Sequence, residues 1–203
     1  MHIFITGTDT NIGKTVASSW LCLHTGYDYF KPIQTGYAEG SDSETVFQLS
    51  GNEIHKEAYI YREALSPHLA SSLEKETIEL LQIKAPKVDN LIIEGAGGLL
   101  VPINKDYFVI DLIKYFSVPV ILVASSRLGT INHTLLSLEA LRARKIKTLG
   151  VIVCGNLNQN NCDAIEFYGK TKVLAQIPYL SDVSNIALSK IPFTQRLKEI
   201  FLV

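Results

Sequence analysis

Residues 2–16 constrain this chain more than any other stretch of its sequence. The apolar run at 3–5 is typical of a buried strand, and Gly7 ends it. Gly13-Lys14-Thr15 then opens a segment that predicts a helix. A strand, a glycine-bounded loop and a helix that begins with Gly-Lys-Thr indicate a phosphate-binding loop, whose backbone amides and helix N-terminus attract a polyphosphate.

The spacing of this loop differs from the general pattern. Five residues separate Gly7 from Gly13, whereas the usual motif has four. The alternative is a glycine-containing turn before an ordinary helix. If the loop binds phosphate, Lys14 reaches the β- and γ-phosphates and the Thr15 hydroxyl binds Mg²⁺.

Apolar runs alternate with helical patterns along the chain. The runs predict strands at 2–6, 28–31, 90–94, 119–124, 148–153 and 173–177. Helices are predicted near 14–23, 42–49, 69–83, 107–116, 131–144, 160–168 and 192–201. The runs at 91–93 and 120–123 are apolar throughout, which favours strands buried on both faces of a parallel sheet. The pattern therefore predicts an α/β fold, with a mostly parallel central sheet flanked by helices. The least periodic region, 52–68, is expected to be an extended loop.

Composition narrows the classes of protein. A length of 203 residues suits one domain over 1–203, and a net charge of −1 with no basic stripe argues against nucleic-acid binding. No apolar run approaches the ~18 residues of a membrane span, and no leader sequence precedes the first strand. The three cysteines have no paired spacing, so a disulfide framework is not expected. These features indicate a cytoplasmic protein that does not bind a membrane.

Polar or glycine-rich residues follow each predicted strand. They lie at 31–36, 94–98, 125–133, 154–158 and 178. Ligands bind outside the carboxyl ends of parallel strands, so these segments are expected to meet in one cleft with the phosphate-binding loop.

Three charged residues near that cleft each have a functional and a structural interpretation. Lys31 can neutralise phosphate or a developing anion, or it is a surface lysine at a strand end. Asp42 can bind Mg²⁺, or it, Ser41 or Ser43 caps a helix. Glu94, before Gly-Ala-Gly-Gly, occupies the place of a second acid on the metal side, or belongs to a plain glycine-rich turn.

The segment Gly129-Thr130-Ile131-Asn132-His133 opens another predicted helix. The free amides at its start can hold a carboxylate. Alternatively, Thr130 or Asn132 only caps the helix.

Four segments, in order, resemble the dethiobiotin synthetases of biotin biosynthesis. They are Gly-Thr-Asp-Thr-Asn-Ile-Gly-Lys-Thr at 7–15, Lys-Pro-Ile-Gln-Thr-Gly at 31–36, Glu-Gly-Ala-Gly-Gly at 94–98 and Leu-Gly-Thr-Ile-Asn-His at 128–133. The resemblance spans residues 2 to 180, and the five-residue glycine gap is usual in that family. It implies a P-loop NTPase fold and an ATP- and Mg²⁺-dependent enzyme that converts 7,8-diaminopelargonate and CO₂ into dethiobiotin. The reaction passes through a carbamate and a carbamic-phosphoric anhydride.

The resemblance also implies roles for individual residues. Lys14, Lys31 and Thr10 would be catalytic, and Thr15, Asp42 and Glu94 would bind Mg²⁺. The nucleotide site would comprise Asn11, Ile12, Gly13, Lys14, Thr15, Val16, Asp42, Glu94, Gly95, Ala96, Gly97, Cys154, Gly155, Asn156, Pro178, Tyr179 and Leu180. Thr35 would contact the substrate, and Gly129, Thr130, Ile131 and Asn132 would bind its carboxylate from the partner subunit of a homodimer.

Two positions, and the segment after residue 180, differ from the family's pattern. Some relatives have Glu where this chain has Asn11, and the family often has Asn, which reads adenine, where this chain has Cys154. A thiol lacks the paired donor and acceptor of an amide, so either selectivity for ATP is weak or the backbone near Pro178 reads adenine.

Two other classes of protein remain as alternatives. One is a P-loop switch ATPase of the partitioning or septum-site type, although such proteins carry an extra lysine early in the loop and Thr8-Asp9-Thr10 has none. The other is an amide-forming synthase of the cobalamin type, but no glutaminase segment follows.

Overall fold

The computed structural model describes residues 1–202, apart from the side chain of Glu39; Val203, the last residue of the predicted domain, lies outside the described residues. The strands are β1 (His2–Gly7), β2 (Asp28–Phe30), β3 (Ile33–Thr35), β4 (Ile54–His55), β5 (Tyr59–Tyr61), β6 (Leu91–Gly98), β7 (Val120–Ser125), β8 (Thr148–Gly155) and β9 (Val173–Pro178). The helices are α1 (Lys14–Thr25), α2 (Asp42–Ser50), α3 (Pro67–Leu73), α4 (Val109–Phe116), α5 (Thr130–Ala143), α6 (Gln159–Gly169), α7 (Asn185–Ser189) and α8 (Gln195–Phe201).

Seven strands form one sheet in the order β4-β2-β6-β1-β7-β8-β9, and each neighbouring pair is parallel. A separate pair, β3 and β5, is also parallel. Parallel strands require crossover connections, which place helices on the faces of the sheet. The predicted α/β class and mostly parallel sheet are confirmed.

The central strands are buried on both faces, as their unbroken apolar runs predict. Ile3 and Ile5 pack in one cluster with Trp20 of α1, whereas Phe4 points to the other face and packs with Ile110 of α4. Successive side chains of a strand alternate between faces, so a strand covered on both faces has to be apolar at each position.

The end of the chain is tied to α1, the helix that follows the phosphate-binding loop. The Trp20 indole donates to the carbonyl of Ile191 at 3.2 Å, and its ring packs 5.4 Å from that of Phe193. This contact fixes the outer face of α1 and so helps to hold the loop that precedes it.

Three sequence-based predictions are wrong in detail. The predicted helix at 69–83 is two pieces, α3 and a 3₁₀ turn at Leu80–Gln82, because Lys75 takes a left-handed φ of 58° that ends α3. The expected loop at 52–68 contains β4 and β5, which are too short to produce a periodic signal. Helix α7 was not predicted, and α8 begins three residues later than expected, where Thr194 caps it.

No helix within residues 1–202 combines the length and the apolar character needed to cross a membrane.

Candidate functional site

The phosphate-binding loop connects β1 to α1 and takes an unusual backbone path. Gly13, the residue before α1, has a φ of 99°, and Asn11 has a left-handed φ of 55°. A Cβ atom on Gly13 would lie only 2.9 Å from the Cβ of Cys154, so the loop can approach β8 this closely only with glycine there. The first turn of α1 therefore lies at the carboxyl ends of the strands, with its amides directed into the cleft.

Lys14 lies inside this loop and is largely buried. Its ammonium donates to the carbonyl of Asp9 at 2.8 Å, a contact that curls the loop around the lysine. Burial, opposed in part by the negative charge of Glu94, lowers the pKa of Lys14 from its ordinary value. An anion bound in the loop would raise the pKa of Lys14 again, because it would stabilise the charged form of the lysine.

Lys31 bridges two carboxylates at the base of the cleft. Its ammonium lies 3.0 Å from Glu94 Oε1 and also donates to Asp42 Oδ2. Burial alone would lower the pKa of Lys31, but the charges of Glu94 and Asp42 outweigh it and raise the pKa. For Asp42, burial is likewise outweighed, chiefly by Lys31, and its pKa is lowered. The alternative that Lys31 is a surface lysine is therefore wrong, since it is 4% exposed.

The register of the sheet explains why Lys31 and Glu94 meet. Phe30 of β2 pairs with Ile93 of β6. The residues that follow them along the chain, Lys31 and Glu94, therefore lie next to each other across the two strands. The same alternation directs both side chains to the face that α1 covers.

Asp42 reaches the cleft because another residue caps α2. Ser41 is the N-cap and accepts from the amide of Glu44, while the Glu44 carboxylate accepts from the amide of Ser41. The amide of Asp42 itself donates to Gln34 Oε1 at 3.1 Å. This capping box leaves the Asp42 carboxylate available to Lys31 and to Thr15, whose hydroxyl is 2.8 Å from Asp42 Oδ1.

Thr15 and the two carboxylates form an all-oxygen donor set. The Thr15 hydroxyl also lies 3.0 Å from Glu94 Oε1, so the three side chains converge on one point. Within residues 1–202 no group of three His, Cys, Asp or Glu side chains has the arrangement of a metal site. Two carboxylates and a hydroxyl nevertheless fit Mg²⁺, which takes oxygen ligands and completes its shell with water and phosphate. The Lys31 ammonium is a cation already held by the same carboxylates.

The predicted site residues are distributed over three adjoining clefts. The central cleft, of about 700 Å³, is lined by Thr10, Asn11, Gly13, Lys14, Thr15, Val16, Lys31, Thr35, Asp42, Glu94, Ala96 and Gly97. A second cleft, of about 620 Å³, contains Ile12, Cys154, Gly155, Asn156, Pro178, Tyr179 and Leu180, and shares Asn11, Gly13 and Val16 with the first. Gly129, Thr130, Ile131 and Asn132 line a third, of about 640 Å³.

Apart from the residues of the second cleft, two groups of predicted residues are not brought into the central cleft. Gly95 does not line it, because a Cβ atom at this position would lie 2.7 Å from the ring of Phe4, on the opposite face of the sheet. The start of α5 also lines a different cleft from Thr35, so one chain does not place the two predicted substrate-binding segments together.

The start of α5 has no side-chain cap. Gly129 is the N-cap, with a φ of 95°, and neither Thr130 nor Asn132 makes a capping hydrogen bond. The Thr130 hydroxyl is buried and has no hydrogen-bond partner among the described residues. The capping alternative for these two residues is therefore wrong, and no side chain accepts from the amides of the first turn of α5.

Sequence reasoning missed Ser18 and Tyr29, which both donate to Glu94 Oε2, at 2.7 and 3.1 Å. A signal for both exists: Ser18 is three residues after Thr15 on α1, and Tyr29 is two before Lys31 along the strand direction, so each shares a face with a predicted site residue. Burial, followed by the charge of Glu94, raises the pKa of Tyr29, which keeps its hydroxyl a donor.

This arrangement suits the transfer of a phosphoryl group. Two ammonium groups, a helix N-terminus and a divalent-cation donor set surround one cavity. Such groups stabilise the negative charge that spreads over phosphoryl oxygens in the transition state.

Known proteins similar to this chain agree on one family. The family described as "AAA domain" matches residues 1–187. The ATP-dependent dethiobiotin synthetase of Lawsonia intracellularis is 59% identical over 203 residues, which is 100% of both proteins. That of Paramagnetospirillum magneticum is 46% identical over 94% of each chain. A biotin biosynthesis bifunctional protein of Bordetella avium is 50% identical over 92% of this chain, which corresponds to 41% of its own length.

Solved structures share the fold at low sequence identity. A putative plasmid partition protein from Borrelia burgdorferi, bound to AMPPNP, has a TM-score of 0.61 and 12% identity, and covers 99% of this chain and 97% of its own. A ParA family ATPase from Chlorobium tepidum has a TM-score of 0.53, 12% identity and coverage of 98% and 95%. These similarities establish the predicted P-loop NTPase type of fold and nothing about activity.

Proposed function

The chain belongs to the ATP-dependent dethiobiotin synthetases, which are ATP-dependent ligases of biotin biosynthesis, and on that premise we propose how its residues carry out the reaction. The proposed substrates are 7,8-diaminopelargonate, CO₂ and ATP. The switch-ATPase alternative is supported only by the shared fold, at 12% identity.

The reaction has three steps that balance in atoms and charge. One amine of the substrate attacks CO₂ and loses a proton, which gives a carbamate. A carbamate oxygen then attacks the γ-phosphorus of ATP, and the bond to the β,γ-bridging oxygen breaks as ADP leaves. The second amine attacks the carbamate carbon and loses a proton, and phosphate leaves with the electron pair of the broken carbon–oxygen bond, so that the new nitrogen–carbon bond closes the ureido ring of dethiobiotin.

Lys14 and Lys31 stabilise the charge in the second step. The triphosphate and the carbamate are both anions, so bringing them together costs free energy unless cations lie between them. Lys14, on the phosphate-binding loop, would bind the β- and γ-phosphates, and Lys31, at the base of the same cleft, would face the carbamate and the transferred phosphoryl group. Thr10, which also lines this cleft, would belong to the same catalytic lining. The substrate supplies its own amines, so a histidine base is not required.

Thr15, Asp42 and Glu94 would hold Mg²⁺, which when bound neutralises phosphate charge. Lys31 already contacts both carboxylates, so the cation and the ammonium would compete for the same oxygens. Displacement of Lys31 from one carboxylate would direct its ammonium towards the substrates.

The second cleft would bind the base of ATP. It adjoins the phosphate-binding loop through Asn11, Gly13 and Val16 and continues to Pro178, Tyr179 and Leu180. The Cys154 thiol lies 3.9 Å from the carbonyl of Gly13 and presents no paired donor and acceptor to a purine. Weak discrimination among ATP, GTP and CTP remains a prediction. A ratio of kcat/KM on the order of 100 or more in favour of ATP would contradict it.

The start of α5 would bind the substrate carboxylate of the partner's active site in a homodimer. Two observations support this: α5 begins without a side-chain cap, and Leu128 in front of it is fully exposed. The Thr35 hydroxyl, at the rim of the central cleft, would contact the other end of the substrate. The buried, unpaired thiols of Cys22, Cys154 and Cys162 suit the reducing cytoplasm as the compartment.

The proposal depends most on the meeting of Lys14, Lys31 and the Thr15–Asp42–Glu94 oxygens in one cleft. Its test is incubation of the protein with the diamine, ¹³C-bicarbonate and MgATP. We expect dethiobiotin with one ¹³C atom, formed in equal amount to ADP and phosphate. A rate of ATP hydrolysis that does not depend on the diamine, without labelled product, would contradict the proposal.

A further inference from the structure

The two carboxylate oxygens of Glu94 have different surroundings. Oε1 faces the central cleft, 3.0 Å from Thr15 Oγ1 and 3.0 Å from Lys31 Nζ. Oε2 faces the interior and accepts from Ser18 Oγ at 2.7 Å and Tyr29 OH at 3.1 Å. Glu94 therefore divides its hydrogen-bonding capacity, with one oxygen used inside the protein and the other presented at the site.

The two inner donors come from rigid elements on one side of the sheet. Ser18 is in the second turn of α1 and Tyr29 is in the middle of β2; both side chains and Glu94 are fully buried, at 0% exposure. A buried carboxylate held by two fixed donors cannot rotate without leaving an oxygen unpaired, which costs about 1–3 kcal/mol or more for a charged group.

We propose that Ser18 and Tyr29 are positioning residues, which fix Glu94 through its inner oxygen so that the outer oxygen is oriented towards the divalent cation. This inference rests on the proposed function, because the cation site is part of it. Residues that orient a metal-binding carboxylate commonly change metal affinity 10- to 100-fold when they are removed.

Loss of the inner donors has a specific consequence here. Glu94 would turn its freed oxygen towards the nearest remaining cation, which is Lys31 at 3.0 Å. The carboxylate would then pair with the lysine through both oxygens and bind the divalent cation less well. A purely structural role, namely satisfaction of a buried charge, would instead lower the free energy of unfolding and leave cation binding unchanged.

Tyr29→Phe and Ser18→Ala separate these two roles. The control for the tyrosine is Tyr27→Phe, which removes the hydroxyl of a buried tyrosine in the same cluster that has no hydrogen bond to the site. The control for the serine is Ser50→Ala, which removes a buried hydroxyl that donates to Val46 O within α2 and accepts from the amide of Asn52, with no hydrogen bond to the site. Each variant keeps the volume and the secondary structure of its site nearly unchanged.

The measurement is the affinity for a non-hydrolysable ATP analogue with and without Mn²⁺, by calorimetry. For Tyr29→Phe and for Ser18→Ala we expect affinity without Mn²⁺ to stay within twofold of wild type. We expect affinity with Mn²⁺ to fall roughly tenfold for each variant and up to about 100-fold for the double variant. At saturating Mg²⁺, kcat should approach the wild-type value, while the Mg²⁺ concentration for half-maximal activity rises.

Each outcome has one meaning. If the wild-type protein binds the analogue equally with and without Mn²⁺, the metal site of the proposed function is wrong and this inference is wrong with it. If Mn²⁺ strengthens binding to the wild type and to all variants alike, only the positioning role is wrong, whatever the melting temperatures. Should the double variant fail to fold, Tyr29→Phe, which keeps the whole ring, decides the question alone.

Discussion

The two ends of the proposed active site are built in opposite ways. At the catalytic end, Lys31 and Glu94 are buried, and each charged atom has its hydrogen-bond partners within the same chain. At the other end, α5 starts without a cap, the Thr130 hydroxyl has no partner, and Leu128 is fully exposed. One end is complete without a ligand, and the other has polar groups that lack partners.

This difference follows from the chemistry assigned to each end. Stabilising a transferred phosphoryl group requires charges that are already in place, because reorganisation during the reaction would cost free energy. Binding a carboxylate requires donors that are free until it arrives. The buried ion pairs thus suit catalysis, and the unpaired donors suit recognition by a ligand or a second subunit.

Lys31→Ala tests the catalytic end and should have the largest effect. We expect kcat to fall by at least about 10³-fold, because the variant loses a cation next to the reacting groups. The free energy of unfolding should fall by about 3 kcal/mol, since Glu94 and Asp42 lose the ammonium between them. Steady-state kinetics and urea denaturation measure the two quantities.

Substitution of an exposed lysine is the control for Lys31→Ala, and the effect of Mg²⁺ on its melting temperature is a second measurement. Lys87→Ala removes an exposed lysine and should change neither quantity. Mg²⁺ should raise the melting temperature of Lys31→Ala more than that of the wild type, because it replaces the missing cation between the carboxylates. Near-normal turnover by Lys31→Ala would remove the catalytic role assigned to this end.

Asn132→Asp tests whether the start of α5 completes the active site of the partner subunit. The change is isosteric and suits the first turn of a helix, but it places a negative charge beside the proposed carboxylate site. We expect KM for the diamine to rise on the order of 100-fold, which corresponds to about 2.7 kcal/mol, with little loss of stability.

Mixing this variant with Lys31→Ala then tests whether each active site is formed by two subunits or by one. Half of randomly formed dimers are mixed, and each contains one site with both intact halves, so roughly a quarter of wild-type activity should return. Light scattering establishes whether dimers exist in both samples. A mixture of dimers that stays inactive means that each chain builds its site alone.

Thr130→Val and Thr134→Val test the role of the start of α5 in binding the substrate, and their expected effects are smaller. Both hydroxyls are buried and unpartnered, so replacement by a methyl group should leave the free energy of unfolding unchanged or raise it by about 1 kcal/mol. Only Thr130 lines the third cleft, so only Thr130→Val should raise KM for the diamine, by about tenfold. Equal KM values for the two variants would contradict a ligand-binding role for Thr130.

The pH dependence of stability should show the smallest effect. The pKa of Asp42 is lowered from 3.8 in the folded protein, so its stabilising contribution is complete above that value and is lost as the pH falls through the folded-state pKa. Urea denaturation of the wild type and Asp42→Asn should give a difference in stability that is constant near pH 6 and shrinks below about pH 4. A difference that grows on acidification would mean that Asp42 is not stabilised as a carboxylate.

Local sequence determined the elements that have strong, short-range signals. The apolar runs around Ile3, Ile92 and Ile121 predicted central parallel strands, since a strand covered on both faces has to be apolar throughout. Gly13-Lys14-Thr15 predicted the start of α1 and its polyphosphate-binding amides. The fold class and the loop therefore followed from the sequence alone.

The tertiary structure decided which side chains form hydrogen bonds with one another across the site. The sequence left Asp42 as either a helix cap or a cation ligand, and only the structure showed that Ser41, with Glu44, caps α2 in its place. It gave no role to Tyr29, because only the pairing of β2 with β6 brings its hydroxyl to Glu94, 65 positions away. Contacts between distant residues depend on strand order and register, which a local pattern of residues does not contain.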